Sequence, residues 1–248
     1  MPAQEPSIEA LDRAWAEAIG TLIQPAGPVA VLYSGGLDSS LIAWELRNRP
    51  ETVLATVGLP GSSDLVAAAD GSGRIGLPWV GTTLGEERLV ELRVVHRSAL
   101  AQLPPSRRSL FLAIAAAVLS APPGRILCGQ GADELFLGYA HFRELSPAEA
   151  EARSRRDLDH LLGNDWPWTQ RLAQGAGRSV ESPYLDPGFV RAAHRVPIEE
   201  RLPADTPKAC LRRLAARRGV PPELVGRPKR ALQFGSGIDA WWRRRPVP

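Results

Sequence analysis

The sequence predicts an α/β protein with an open, mostly parallel sheet in a doubly wound arrangement and a helical C-terminal region. Three observations lead to this prediction. Short apolar segments alternate with segments of helical period through the first half of the chain. Two of the apolar segments run directly into glycine-bearing loops, as parallel strands do before the following helix. Beyond about residue 144 only helical patterns remain.

The individual elements follow from the spacing of apolar residues. Residues 7–22 have apolar side chains at helical spacing and predict an amphipathic helix. Strands are predicted at 28–33, 52–57, 79–82, 92–95 and 125–128. Helices are predicted to begin at 37 and 63 and to cover 106–121, where two prolines and a glycine follow. Accordingly, we expect an N-terminal helix over 1–24, an α/β domain over 25–143 and a helical region over 144–248.

Composition favours a small-molecule enzyme or binding protein over several other classes. The net charge is only +3, which is compatible with anionic small molecules and gives little support to nucleic-acid binding. Cys128 and Cys210 are far apart, so a disulfide framework and a structural zinc site are not expected. Residues 1–20 lack an apolar signal core, and the apolar stretch 110–119 is too short to span a bilayer. We therefore expect a cytoplasmic protein without membrane contact.

The segment SGGLDSS, residues 34–40, follows the first predicted strand. Gly35 and Gly36 allow the backbone to bend closely around a ligand, and the amides that open the next helix attract anions such as phosphate. Asp38 would repel a bare polyphosphate, so its presence favours a Mg²⁺ ion between the carboxylate and the phosphates. A tight strand–helix turn capped by serine and aspartate is the alternative at this point.

The whole segment resembles the pyrophosphate-binding loop of the N-type ATP pyrophosphatases, which cleave ATP between the α and β phosphates. Further segments resemble the synthetase domain of asparagine synthetases, in the same order along the chain: VGLPGSSDLVAA at 57–68, LCGQGADELFLGY at 127–139 and GRPKRALQFGSGI at 226–238. SPYLD, at 182–186, stands where that family usually has Pro-Phe-Leu-Asp. The chain is thus identified as a member of this family, which implies an adenine nucleotide alpha hydrolase-like fold.

The resemblance implies a role for individual residues. Those implied for ATP are Tyr33, Ser34, Gly35, Gly36, Asp38, Ser39, Val57, Cys128 and Gly129. Asp38 and Asp133 would share a Mg²⁺ ion. Lys229 matches the family's catalytic lysine, whose positive charge would offset the negative charge that develops on the phosphoryl oxygens. Gln130 occupies a second catalytic position.

The implied reaction is ATP-dependent amide formation, as in asparagine biosynthesis. A carboxylate, aspartate in the family, would attack the α-phosphorus and release pyrophosphate, after which ammonia would displace AMP from the acyl-adenylate. Glutamine-hydrolysing members carry a separate domain that begins with a nucleophilic cysteine, and no cysteine lies near this N-terminus. We expect free ammonia, or ammonia from a separate glutaminase subunit, as the nitrogen source. Nucleic acid and membranes are not expected partners.

Two departures from the family pattern leave the acceptor open. Bacterial aspartate-using members commonly have glutamate where this chain has Gln130, and a neutral amide cannot take a proton at pH 7. Glu181 stands where arginine is usual, and Glu134 is expected to point away from the site. The alternatives are the same adenylating chemistry on another acceptor, as in β-lactam synthetases, tRNA thiolation, and a non-catalytic nucleotide-binding subunit.

Overall fold

The computed structural model describes residues 7–202, 206–227 and 230–245. Within them lies an open sheet of five parallel strands in the order β3-β2-β1-β4-β5. The strands are β1 Val29–Leu32, β2 Thr52–Gly58, β3 Trp79–Thr83, β4 Arg125–Leu127 and β5 Val180–Glu181. The predicted fold class is confirmed, and four of the predicted strands lie within one or two residues of their predicted bounds.

The strand order places a topological switch point beside the central strand. From β1 the chain moves outward on one side to β2 and β3, then returns to form β4 and β5 on the other side. Val29 of β1 pairs with Thr52 on one side and Arg125 on the other. The loops that follow β1 and β4 are consequently neighbours at the carboxyl edge of the sheet, where ligands bind in open α/β folds.

Helices account for most of the remaining described chain. Those before residue 144 are α1 Ser7–Ile23, α2 Leu37–Glu45, α3 Ser63–Ile75, α4 Glu86–Val95, α5 Arg97–Gln102, α6 Pro105–Ser120 and α7 Ala132–Leu135. The later ones are α8 Pro147–His160, α9 Trp166–Gly175, α10 Pro187–Arg195, α11 Ile198–Arg201, α12 Ala209–Arg217, α13 Pro222–Val225, α14 Leu232–Gly235 and α15 Ile238–Arg243. Short 3₁₀ helices lie at Ala140–Glu144 and Pro183–Leu185, and a π-helical turn, Leu161–Asp165, joins α8 to α9. No helix in these described ranges is both long and apolar enough to cross a bilayer.

The structure corrects the prediction in two places. Residues 92–95 were predicted as a strand, but they form the end of α4, which buries only Leu89 and Leu92 on one face. The C-terminal region was predicted to lack strands, yet it supplies β5, whose two residues are too few to show a strand period. The boundary at residue 143 remains a prediction.

Helix α1 is part of the main core because one of its side chains lies among aromatic residues from the C-terminal half. Trp15 is completely buried, and its ring centroid lies 5.0 Å from that of Tyr184 and 5.2 Å from that of Phe189. Burial of a large aromatic side chain contributes several kcal/mol to stability. The first and last thirds of the chain are thus joined by direct packing.

We predict that Trp15→Ala lowers the free energy of unfolding by about 3–5 kcal/mol, because a buried indole leaves a large cavity. Urea denaturation followed by circular dichroism would measure it. Thr21→Ala, at an exposed position of the same helix, is the control and should change stability by about 0.5 kcal/mol or less. Equal effects of the two substitutions would show that α1 is not part of the core.

Candidate active site

A cavity of about 1080 Å³ opens at the carboxyl ends of β1 and β4. Its walls come from the two glycine-bearing loops and from the helical region that follows residue 144. Of the residues predicted to contact ATP, eight line it: Tyr33, Ser34, Gly36, Asp38, Ser39, Val57, Cys128 and Gly129. The two sequence segments singled out for their glycines therefore meet in one concave site.

The loop after β1 is shaped by its glycines and by its own hydroxyl groups. Gly35 has a φ of +71°, and a Cβ atom there would lie 2.9 Å from the backbone of Ala67, so the position excludes a side chain. The Ser39 hydroxyl donates to the Gly36 carbonyl at 3.2 Å and accepts from the Ser34 amide at 3.3 Å. Gly35 does not line the cavity but faces Ala67. Its role is to allow the loop to bend at this point.

The loop is also supported from below by the SPYLD segment. Tyr184 is completely buried, and its hydroxyl donates to the Asp38 carbonyl at 2.9 Å. Because Tyr184 packs against Trp15, the aromatic core described above extends to the backbone of Asp38. This contact connects the folding of α1 with the position of a predicted metal ligand.

The carboxylates of Asp38 and Asp133 converge on the ammonium group of Lys208. Lys208 Nζ lies 2.6 Å from each carboxylate oxygen of Asp38 and 2.8 Å from Oδ1 of Asp133. The lysine is only 4% exposed, and its backbone is in the left-handed region with a φ of 57°. A non-glycine residue in this strained region is typical of a functional site. Gly138 has no room for a Cβ atom because the Asp133 and Lys208 side chains fill that space.

Sequence reasoning missed Lys208, although the sequence contains a signal for it. The chain has 30 lysine and arginine residues in total, and only Lys208 and Lys229 are lysines. Because lysine is otherwise absent from the chain, each of these two lysines is a candidate for a specific role. Lys229, the predicted catalytic lysine, lies outside the described residues.

The donor set around Asp38 and Asp133 fits a magnesium ion only together with a nucleotide. The described ranges contain no group of three or more acidic, histidine or cysteine side chains that could hold a metal alone. Mg²⁺ is commonly bound by one or two carboxylates together with substrate phosphates and water. Asp38 and Asp133, which both contact the Lys208 ammonium group, would supply the protein carboxylates of such a site.

Arg227 holds the Ser34–Ser39 loop against the start of α3. Its guanidinium donates to the carbonyl of Ser34, to the carbonyl of Ser63 at 2.9 Å and to Oδ1 of Asp64 at 2.9 Å. Asp64 is 1% exposed, and its burial raises the pKa of its carboxyl group against the opposing effect of Arg227. The planar guanidinium group of arginine suits a site with several acceptors. Through these contacts Arg227 joins the Ser34–Ser39 loop to the start of α3.

These features agree with comparisons to known proteins. The sequence model of the family described as asparagine synthase matches residues 10–174 and 144–247. The chain belongs to the asparagine synthase family.

Individual relatives match over nearly the whole chain. A putative glutamine-hydrolyzing asparagine synthetase of Methanocaldococcus jannaschii is 27% identical over 271 residues, covering 94% of this chain and 50% of the relative. Glutamine-hydrolyzing asparagine synthetases of Pongo abelii and Gallus gallus are 28% and 27% identical, covering 87% and 84% of this chain and 41% and 39% of those proteins. The chain thus spans half or less of the length of these relatives.

The two departures from the asparagine synthase pattern lie in different surroundings. Gln130 lines the cavity, with its carbonyl accepting from the Ser182 hydroxyl at 2.7 Å and its side-chain oxygen 3.7 Å from the Cys128 thiol. Glu181 does not line the cavity and instead pairs with Arg125 at 3.4 Å. Only the change at Gln130 can therefore act directly on a ligand in this cavity.

Glu134 was expected to point away from the site, and this expectation is wrong. Glu134 lines the cavity, and its Oε1 accepts a hydrogen bond of 2.6 Å from the Tyr139 hydroxyl. The side chain is 7% exposed, and burial raises the pKa of its carboxyl group. The short helix α7 explains the error, because it ends at Leu135, and the chain then turns back with Tyr139 against Glu134.

We predict that Arg227→Ala lowers the free energy of unfolding by about 3–5 kcal/mol, because it leaves the buried Asp64 carboxylate without its cation. Urea titration would measure the loss. The loss of unfolding free energy should shrink on acidification, because protonation of Asp64 removes the uncompensated charge. A carboxyl group whose pKa is raised in the folded state lowers the stability of the fold as the pH rises.

Arg74→Ala is the matched control, since Arg74 pairs with Asp70 on the exposed surface of α3. We expect a change of about 1 kcal/mol or less there. A loss at Arg227 no larger than that at Arg74 would contradict the role given to this contact.

Proposed function

We propose that this chain is an ATP-dependent, AMP-forming carbon–nitrogen ligase that adenylates a carboxylate, that of aspartate or a related acid, and transfers the acyl group to ammonia. The observation that carries the proposal is the convergence of Asp38 and Asp133 on one cation position beside the Ser34–Ser39 loop. Two carboxylates and a bare backbone loop suit a polyphosphate that arrives with Mg²⁺. Membership in the asparagine synthase family supports the same reaction class.

In this proposal the phosphates of ATP contact the loop of Ser34, Gly36 and Ser39 at the start of α2. The base and ribose lie along Tyr33, Val57, Cys128 and Gly129. The Tyr33 amide donates to the Ala55 carbonyl at 2.8 Å, so this residue would contribute contact surface instead of an amide donor.

The chemistry then needs little besides position and charge. An acceptor carboxylate attacks the α-phosphorus, the bond to the bridging oxygen breaks, and pyrophosphate leaves. Ammonia attacks the acyl carbon of the adenylate, loses a proton and expels AMP. Mg²⁺, held by Asp38 and Asp133, would neutralise phosphate charge, and Lys229 is proposed to stabilise the charge that develops on the phosphoryl oxygens.

Lys208 takes the place of that metal ion when no nucleotide is bound. Two carboxylates within reach of one point repel each other, and the ammonium group compensates them. We propose that it gives up this position when Mg²⁺ and ATP bind together. Gln130 can orient ammonia through its amide but cannot accept its proton.

Ammonia is proposed to come from solution or from a separate glutaminase. The matched relatives are named as glutamine-hydrolyzing, whereas both cysteines here are buried. Burial raises the pKa of the Cys128 thiol to about 12, so this thiol is poorly suited to act as a nucleophile. The same observation disfavours tRNA thiolation, which needs reactive cysteines.

We predict that the chain releases AMP and pyrophosphate when it is incubated with ATP, Mg²⁺, aspartate and ammonium. Product analysis by ion-exchange chromatography would measure both. Asp133→Asn should reduce turnover by at least about 100-fold, as expected for lost transition-state charge stabilisation. Release of ADP in place of AMP would exclude this reaction class, and pyrophosphate release with another acid only would select the alternative acceptor.

We predict that Lys208→Met increases the affinity for a divalent cation in the absence of nucleotide by about 10-fold or more, because the two carboxylates lose their internal cation. Titration with Mn²⁺, followed by electron paramagnetic resonance, would measure it. Lys208→Arg retains the charge and is the first control.

The second control combines Lys208→Met with Asp133→Asn, which should abolish the added affinity. Melting curves would establish that each variant is folded. Mn²⁺ affinity in Lys208→Met no higher than in the unmodified chain would contradict the assignment of Lys208 as the resident cation.

A further inference from the structure

Helix α4 presents an apolar face to solvent, away from the cavity. Leu89 and Leu92 pack into the core on one side of this helix. The exposed fractions of Val90, Val94 and Val95 are 43%, 65% and 67%. Single exposed apolar residues are ordinary, but three on one helix of ten residues form a patch. Valine is also a poor helix former, so neither helix formation nor core packing accounts for these side chains.

Two of these valines belong to a longer stripe on the helix surface. Four exposed residues follow one another at intervals of three or four positions, the spacing of side chains on one face of a helix. We call them the valine stripe: Glu87, Val90, Val94 and Arg97. Arg97 is the first residue of α5, but helical hydrogen bonding continues across the junction. There the His96 amide donates to the Leu92 carbonyl at 3.0 Å, and the Leu100 amide donates to the His96 carbonyl at 2.9 Å.

The charged residues of the valine stripe differ from the others of α4 in having no partner. Glu87 and Arg97 are exposed, and no side-chain hydrogen bond or ion pair joins either of them to another residue of the described ranges. The other four charged residues of α4 are engaged within the chain, Arg88 with Glu91 at 2.7 Å and both Glu86 and Arg93 with Arg245, at 2.5 and 2.9 Å. The stripe is thus the face of α4 on which apolar and charged groups both lack contacts.

The valine stripe is complementary to itself in one arrangement. Glu87 and Arg97 lie equally far in sequence on either side of position 92, and so do Val90 and Val94. A second copy of the helix that lies antiparallel about a two-fold axis at this level places Glu87 of each copy opposite Arg97 of the other. Val90 of each copy then lies opposite Val94 of the other. A parallel arrangement would instead place like charges opposite each other, which is unfavourable.

We infer that this chain forms a symmetric homodimer in which the valine stripes of two copies pack antiparallel. Two-fold contacts between identical surfaces are the commonest kind in soluble oligomers. An apolar seam flanked by opposite charges is also the usual pattern of paired helices. The charge pattern identifies a second copy as the occupant, because an unrelated partner would not require symmetry about position 92. The dimer is independent of the proposed function.

The first test reverses the charges of the valine stripe in the full chain, with Glu87→Arg and Arg97→Glu. Sedimentation equilibrium gives the dissociation constant of the dimer. Each single reversal places like charges opposite each other twice in the dimer, so we expect this constant to rise at least about 10-fold. The variant with both reversals, and an equimolar mixture of the two single variants, should regain the affinity of the unmodified chain, since opposite charges meet again. All these differences should weaken in high salt.

The second test removes apolar contact with Val94→Gln. Glutamine is a better helix former than valine, so the helix itself should not weaken. The dissociation constant should rise at least about 10-fold, because the two-fold axis applies the substitution twice. Val66→Gln is the matched control, since Val66 lies on α3 and is 63% exposed. It should leave the dissociation constant unchanged, and melting curves would establish that every variant is folded.

Each outcome counts for or against this dimer. An unmodified chain that stays monomeric up to about 1 mM overturns it and leaves the valine stripe to a different protein. A dimer that Val94→Gln and the single reversals leave intact has its interface elsewhere, which also overturns the assignment, as does an equal effect of Val66→Gln.

The mixture of single variants is the sharpest measurement. Only a contact between position 87 of one copy and position 97 of the other predicts that two variants, each impaired alone, associate when combined. Recovery in the mixture therefore supports the antiparallel two-fold arrangement. Impaired association of each single variant without recovery in the mixture excludes it.

Discussion

The site depends on one electrostatic constraint, which is that Asp38 and Asp133 are held within reach of the same point. As a general scale, two like unit charges at a separation of about 4 Å repel by roughly 4 kcal/mol at the effective dielectric constant near a protein surface. The Lys208 ammonium compensates this repulsion at 2.6 and 2.8 Å. Because Lys208 immediately precedes α12, the loops after β1 and β4 reach their arrangement only when the C-terminal helices are in place.

The aromatic core helps to hold Asp38 in this arrangement at the candidate active site. Trp15 packs on Tyr184, whose hydroxyl binds the Asp38 carbonyl, while Arg227 holds the Ser34 carbonyl from another direction. The backbone that presents one carboxylate is thereby fixed by residues from the first and last parts of the chain. Rigid support of this kind is what a preorganised site requires.

Much of this architecture could be predicted from the sequence because the signals are local. Glycines after two apolar strands indicated the two loops, and parallel topology indicated that they would meet. Contacts between distant positions were not predictable in this way. Lys208 lies 170 positions from Asp38 and belongs to a segment with a helical pattern. Glu134 was misplaced because its orientation depends on how tightly the chain turns after α7, and β5 was missed because it is too short to have a period.

The choice between lysine and arginine gives the site two kinds of cation. Arg227 has several donors in a fixed plane and contacts three acceptors, which suits a permanent support. Lys208 offers a compact point charge on a flexible stem, and such a charge can exchange with a metal ion without disturbing the acceptors around it. A guanidinium between Asp38 and Asp133 would bind them through a broad planar fork and would be harder to displace. Nearly all other basic residues of the chain are arginines. A lysine between Asp38 and Asp133 therefore agrees with the proposal that a metal ion displaces this cation when nucleotide binds.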